Sequence, residues 1–256
     1  MRRFRRSSGT IGSTSSVTAL LTDANVFMRC CFETAMQAIN ESAFPANVDD
    51  SESALKRLLR LVQVASNPHL VDESYTAQPG KFGKLFELVQ SAVAAGDKII
   101  VWTSFVDNAD WLAAELASFG SVVVHGRTDI ETRNAAINSF KQDPGVTVLV
   151  ATPGAAKEGL TLTVANHAVF YDRSFSLDDY LQAQDRIHRI SQKQTCYVWN
   201  LIAEDSIDEW VDALLGAKRL AAQLAQSDIS ASDYAGAANY DFGRLIAEIL
   251  KGDNDG

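Results

Sequence analysis

Two arginines three positions apart, Arg186 and Arg189, stand out in the stretch Gln182-Ala-Gln-Asp-Arg-Ile-His-Arg-Ile-Ser-Gln192. A guanidinium is planar, permanently charged and shaped to clasp phosphate oxygens. A fixed pair of them can therefore neutralise charge on a transferring phosphoryl group. On a single helix this spacing sets both side chains on one side, one turn apart. One helix through 182–192 is thus the expectation, with Ile187 and Ile190 anchoring its other face and Gln182, Gln184 and Gln192 flanking the pair. The plainer reading of any such pair is a solvated basic patch, and residue types alone leave both open.

The elements that must position this pair follow from the patterning around it. Lys98-Ile-Ile-Val-Trp-Thr-Ser-Phe105, Val122-Val-Val-His125, Val146–Ala151, His167–Tyr171 and Cys196–Ile202 read as short buried strands. Helical patterns separate them: one from Lys81, then Ala109–Phe119, Ile130–Lys141, the arginine-bearing segment itself, and a long stretch after Glu204 running to about Ala225. Strand and helix alternating with short links signal a right-handed parallel sheet with helices on both faces. Ligands of such sheets sit at the carboxyl ends of the strands. Upstream, residues 7–20 are rich in Ser, Thr and Gly and read as an irregular lead-in, followed by helical patterns near Asn25–Asn40 and Ser53–Ala65. Leu55, Leu58, Leu59 and Val62 form an apolar stripe expected to pack inward. Ser206 with Glu209 fits a capping box, and one further helix is expected near Phe242–Lys251.

The arginine stretch closely resembles motif VI of the Swi/Snf-related helicases of superfamily two, with Ser191 where that family normally has Gly. Several other segments join the resemblance. Ala151-Thr-Pro-Gly-Ala-Ala-Lys-Glu-Gly-Leu-Thr-Leu162 resembles motif V, although Pro153 and Lys157 are less typical there. The strand ending at Thr103 resembles motif IV, and His125-Gly126 with Arg133 downstream resembles the pattern that follows it. Asn67-Pro-His-Leu70 resembles a turn just ahead of the family's second motor lobe. Asp172 resembles the acid before a W-N-P element, which Ser174-Phe-Ser replaces here.

The resemblance spans roughly residues 50–226 and implies a RecA-like C-terminal lobe, α/β in class, with helical N-terminal and C-terminal extensions. Its implied organisation is an N-terminal arm and bracing segment over 1–75, the lobe over 76–226 and an acidic tail over 227–256. It also implies site residues. Arg186 and Arg189 would act on ATP, with Glu158, Gly159, Gln182 and Asp185 on the nucleotide side. Thr103, His125, Gly126, Arg133, Thr152 and Thr161 would meet the nucleic-acid backbone. Asp185 favours DNA, since RNA-helicase families usually carry Gly there. Small residues and hydroxyls in the motif V loop suit close approach to phosphate or ribose; by itself that loop is an ordinary strand-to-helix turn. His188 reads as a packing residue, with no nucleophile or metal spacing around it.

The sequence lacks what a complete nucleotide-hydrolysing motor needs. Gly80-Lys81 and Gly83-Lys84 only approach a Walker A loop, because Phe82 and Leu85 stand where Ser or Thr should. No acidic Walker B box occurs. ATP with Mg2+ would then be shared with a first lobe that is either a separate polypeptide or a part of the protein lost from this sequence, and the isolated chain is expected to be inactive. A non-catalytic regulatory module, or a decayed fragment of such a motor, is the alternative.

Composition bounds the rest. With 256 residues and 46% hydrophobic content the chain can bury one substantial core. A net charge of −9 excludes a general nucleic-acid coat, so any contact with double-stranded DNA must be local. Cys30, Cys31 and Cys196 offer neither a disulfide framework nor metal-ligand spacing, which fits a reducing compartment, cytoplasmic or nuclear. The run Met1-Arg-Arg-Phe-Arg-Arg6 is read first as the ragged start of a domain cut from something longer. A basic arm on phosphates and a transit peptide are the other options.

Overall fold

The computed structural model describes residues 4–7, 14–21, 50–156, 161–189 and 192–226. Seven strands form one sheet: β1 (Phe4–Ser7), β2 (Thr14–Leu21), β3 (Ile99–Trp102), β4 (Ser121–Val124), β5 (Val148–Ala151), β6 (His167–Phe170) and β7 (Cys196–Ala203). Their order is β1-β2-β7-β6-β3-β5-β4, and every pairing is parallel except β1 with β2. Among the described residues, six α-helices accompany them: α1 (Asp50–Ser66), α2 (Phe82–Ala94), α3 (Val106–Glu115), α4 (Ile130–Gln142), α5 (Leu177–Gln184) and α6 (Ile207–Ala225). The expected helices near Asn25–Asn40 and Phe242–Lys251 lie outside the described residues.

The central strands are apolar on both faces, as a doubly covered parallel sheet requires. Alternation in β3 divides its side chains. Ile99 and Val101 join Phe82, Leu85 and Val89 of α2 and Leu112 of α3 on one face, whereas Ile100 and Trp102 join Ile137 and Phe140 of α4 on the other. A third cluster sits beside the sheet, where Leu61, Val62 and Ala65 of α1 pack on Ile207, Trp210, Val211 and Leu215 of α6. The core is therefore an α/β sheet between helical layers, with α1 and α6 bracing one another.

Gly120 shows how tightly the layers approach. Its φ is +67°, and a Cβ there would lie 1.8 Å from the carbonyl oxygen of Gly145, so only glycine can turn the chain into β4.

Two expectations need correction. The reading of 7–20 as irregular fails over 14–20, because β2 pairs with β7 along eight consecutive positions from Thr14↔Cys196 to Leu21↔Ala203. Ser and Thr in that segment signalled a loop, yet the neighbouring strand β7 supplies backbone partners that override composition. The apolar stripe of α1 is also rotated. Leu55 and Leu59 are 50% and 41% exposed, and the packed face runs through Leu58, Leu61, Val62 and Ala65 instead.

Candidate functional site

Four loops leave the carboxyl ends of the parallel strands on one rim, and these ends are tied edge to edge. The amide of Thr103 donates to Ala151 O, that of Thr152 to Val124 O, and that of Tyr171 to Trp102 O. Residues far apart in sequence are thereby held at one level: Thr103, His125, Thr152 and Asp172 each stand just past their strand.

Arg186 and Arg189 reach this rim by a route the sequence did not predict. Helix α5 is capped by Ser176, whose side chain accepts from the amide of Asp179, and it ends at Gln184. Both arginines follow it, in an irregular turn rather than on one continuous helix. The cause lies in the carbonyls, which a continuing helix would need for its own i+4 amides. Arg186 O instead accepts from the amide of Leu162. Ile187 O accepts from Gln192 Nε2 at 3.3 Å and from Cys196 Sγ at 3.5 Å. Gln192 also donates to Thr163 O and Ala165 O, at 3.2 and 3.0 Å, so one amide fastens the arginine turn to the loop after β5.

The two guanidiniums occupy different settings. Arg189 is exposed, and its Nη1 donates to Thr161 Oγ1 at 3.0 Å while Nε donates to Asp185 O at 3.3 Å. These acceptors are neutral, so they orient the cation without cancelling its charge. Arg186 is 8% exposed. Burial lowers its pKa from the usual arginine value and the charge of Arg189 lowers it further, with Asp185 opposing. Gln182 and Asp185 are exposed on the approach to this turn, and Glu158 and Gly159 lie outside the described residues.

The residues expected on the nucleic-acid side divide into two groups. Gly126 is exposed, Arg133 and Thr161 are half-buried, and Thr152 is buried just past β5. His125 is buried, its Nε2 2.8 Å from Asp110 Oδ1. Thr103 is the correction. It is fully buried, and its hydroxyl donates to Asp172 Oδ2 at 2.5 Å and accepts from Asn108 Nδ2 at 3.1 Å. That side chain is committed to the interior.

Asp172 is the hub of this interior network. Besides Thr103 it accepts from Ser66 Oγ at 2.7 Å and from the amide of Ser104 at 2.6 Å. Asn108 in turn bonds Ser66 and Asn67, so the end of α1, the end of β3, helix α3 and the end of β6 meet at one buried carboxylate. The sequence flagged Asp172 only through a family pattern; Ser66 and Asn108 carried no signal of their own. Lys81, a near miss for a phosphate lysine, is also internal. Its Nζ lies 2.5 Å from Asp208 Oδ2 and 3.1 Å from Tyr171 O, and the residue is 1% exposed. The replaced W-N-P element is held from α6: Arg173 pairs with Asp212 at 2.6 Å, Lys218 donates to Phe175 O at 2.6 Å, and the Phe175 ring meets Trp210 edge-on at 5.5 Å.

This arrangement fits a polyphosphate anion better than a metal. It offers one exposed guanidinium, Arg189, beside the buried Arg186, while among the described residues no group of three His, Cys, Asp or Glu side chains is placed to hold a metal ion. Also among the described residues, no helix is long and apolar enough to cross a membrane.

Comparison with known proteins agrees with this reading of the fold. Residues 80–191 match the family model for the helicase conserved C-terminal domain. The chain is 32% identical over 140 residues to the ATP-dependent helicase fft3 of Schizosaccharomyces pombe, covering 54% of this chain and 15% of that protein. It is 29% identical over 208 residues to fft2 of the same organism, covering 80% of this chain and 16% of the relative. The chain thus spans about a sixth of the length of these relatives. Among solved structures, the Sulfolobus solfataricus SWI2/SNF2 ATPase core in complex with dsDNA aligns with a TM-score of 0.65 at 25% identity, covering 92% of this chain and 49% of that one. The C-terminal part of the Fun30 ATPase domain aligns at 0.59 with 18% identity, covering 77% and 88%. The α/β sheet with its strand-end loops has the RecA-like fold of a C-terminal helicase lobe, residues 80–191 match the helicase conserved C-terminal domain, and the chain is similar to Swi/Snf-related helicases.

Proposed function

We propose that this chain serves as the second lobe of an ATP-driven translocase on double-stranded DNA. In that role it presents Arg186 and Arg189 to ATP held by a first lobe that carries the Walker A and B boxes. The observation that carries the proposal is Arg189, exposed at the rim and oriented by Thr161 and Asp185 through neutral acceptors. Gln182, Asp185, Glu158 and Gly159 are assigned to the nucleotide side. The magnesium ion that accompanies ATP would be held by the acidic box of the first lobe, and this chain would supply cationic charge to the phosphates. The DNA backbone would be met by His125, Gly126, Arg133, Thr152 and Thr161. Thr103 drops out of that set.

The geometry supports coupling between the two jobs. Thr161 holds Arg189, and Leu162 is bonded to the carbonyl of Arg186, so the motif V loop and the arginine turn form one unit. Lobe closure would carry this unit onto the nucleotide and shift the grip on DNA; opening would reverse both. Work on DNA places the protein in the nucleus or the cytoplasm.

One other reading is a module that docks on an intact motor and regulates it. A single assay separates the two. The chain is added to a first lobe bearing Walker A and B boxes, with duplex DNA, and ATP hydrolysis is followed. Activity that neither piece shows alone supports the proposal. Absence of activity there, combined with inhibition of an intact two-lobe motor, supports the regulatory module.

A further inference from the structure

The loop from β4 to α4 carries a cation that neither the sequence patterns nor the family motifs single out. Arg127 Nη1 lies 2.5 Å from Asp107 Oδ1, and both side chains are 66% exposed. The loop beneath is closed on itself. The amide of Thr128 donates to His125 O at 3.0 Å, and the amide of His125 donates to Thr128 Oγ1 at 3.1 Å. The amide of Arg127 donates to His125 Nδ1 at 3.2 Å, while His125 Nε2 meets Asp110 Oδ1. Asp107 and Asp110 are three residues apart on one side of α3, so that helix grips both side chains of the loop.

Charge makes this grip consequential. Asp107 pairs with the guanidinium, Asp110 lies one turn further along α3, Asp129 and Glu131 follow Arg127 by two and four positions, and hydrogen bonds from Thr132 hold Asp129 below the usual carboxylate range. A polyanion approaching here meets an acidic surface unless the guanidinium turns outward. The ion pair is exposed and therefore weakly held. Arginine binds carboxylate and phosphate with the same fork geometry, so one can replace the other.

We infer that Arg127 is the phosphate-binding side chain of this loop and that Asp107 is its built-in competitor. The pair is closed without DNA and opens when a backbone phosphate displaces the carboxylate. This deepens the DNA-backbone reading above and rests on it. Arg133, named from the family pattern, lies a turn into α4, whereas Arg127 projects from the exposed tip beside Gly126.

The test follows binding of a labelled short duplex to the chain by fluorescence anisotropy across a salt series. Arg127→Ala should weaken binding roughly three- to tenfold and reduce the salt slope by about one. Asp107→Asn should tighten it by about threefold or more in the native background and give no gain when Arg127→Ala is also present. An equal gain from Asp107→Asn in both backgrounds would reflect general charge and overturn the latch. So would a chain that binds duplex equally well with and without Arg127. If the unaltered chain binds no duplex, the latch and the DNA reading fall together, whereas binding that ignores Arg127 sinks the latch alone. Both side chains are surface groups, and an unchanged urea midpoint in each variant confirms that the fold is intact.

Discussion

Lys81→Met removes a buried ammonium while keeping the length and apolar stem of the side chain. In the native chain its Nζ is shared between Asp208 and the carbonyl of Tyr171, and it lies 5.9 Å from the centre of the Tyr171 ring. The side chains of Lys81 and Asp208 are 1% and 5% exposed, so solvent cannot replace the lost partner. Asp208 would keep the amide of Ala203 at 2.9 Å but would remain a buried charge without its counter-ion. Breaking a buried pair in this way costs about 3–5 kcal/mol, a large share of the ~5–15 kcal/mol that holds a typical domain. Urea unfolding should show that loss as a lower midpoint at constant slope. Asp208→Asn in the same background keeps an acceptor for Ala203 and removes the orphan charge, and it should restore about 1–2 kcal/mol, within the usual coupling of contacting residues. A cost for Lys81→Met below about 1 kcal/mol, or a double variant no better than the single, would refute this account. Either result would mean that the pair joining α2, the end of β6 and α6 does not hold them.

Other residues give narrower tests. Gln192→Ala should cost about 1–3 kcal/mol, because three carbonyls lose one shared donor; in a two-lobe assembly it should also lower ATP turnover by displacing the arginine turn. Thr103→Val should lower stability by roughly 1–2 kcal/mol, since Asp172 loses a buried hydroxyl donor, yet leave duplex affinity unchanged. A clear loss of affinity would restore Thr103 to the DNA interface. His167 is held neutral: burial lowers its pKa, with Asp97 opposing. Its contribution to stability is thus complete above the pKa of an unfolded histidine and lost as pH falls through the lower folded value. Urea midpoints taken from neutral pH downward should fall less steeply for His167→Gln than for the native chain; parallel curves would contradict this assignment.

The repeating core was legible because each central strand is apolar on both faces and bounded by turn residues, so β3, β5 and β6 could be read within a few positions. Strand β2 was hidden because its Ser and Thr residues match loop composition, and its pairing with β7 and β1 is what makes it a strand. The arginine spacing was visible, but its conformation was not. The groups that stop the helix, Leu162, Gln192 and Cys196, act through contacts that no local pattern encodes. A similar limit misplaced Thr103. Threonine at a strand end suits phosphate or a buried acid equally, and its acceptor Asp172 lies 69 residues away. For α1 the helical period was right and its orientation wrong, because the packed face is chosen by α6, which the stripe cannot see. Arg127 escaped notice since its partner on α3 is 20 residues distant and no family pattern marks it.

Arg189 is proposed to act on nucleotide bound by another lobe, and turnover with and without its guanidinium reads out that role. In a DNA-stimulated assembly of this chain with a Walker-bearing first lobe, Arg189→Ala should lower the ATPase rate by about 10³-fold, the scale of an arginine that stabilises transferring phosphoryl charge. A rate that stays within about tenfold of the unaltered assembly would contradict the account.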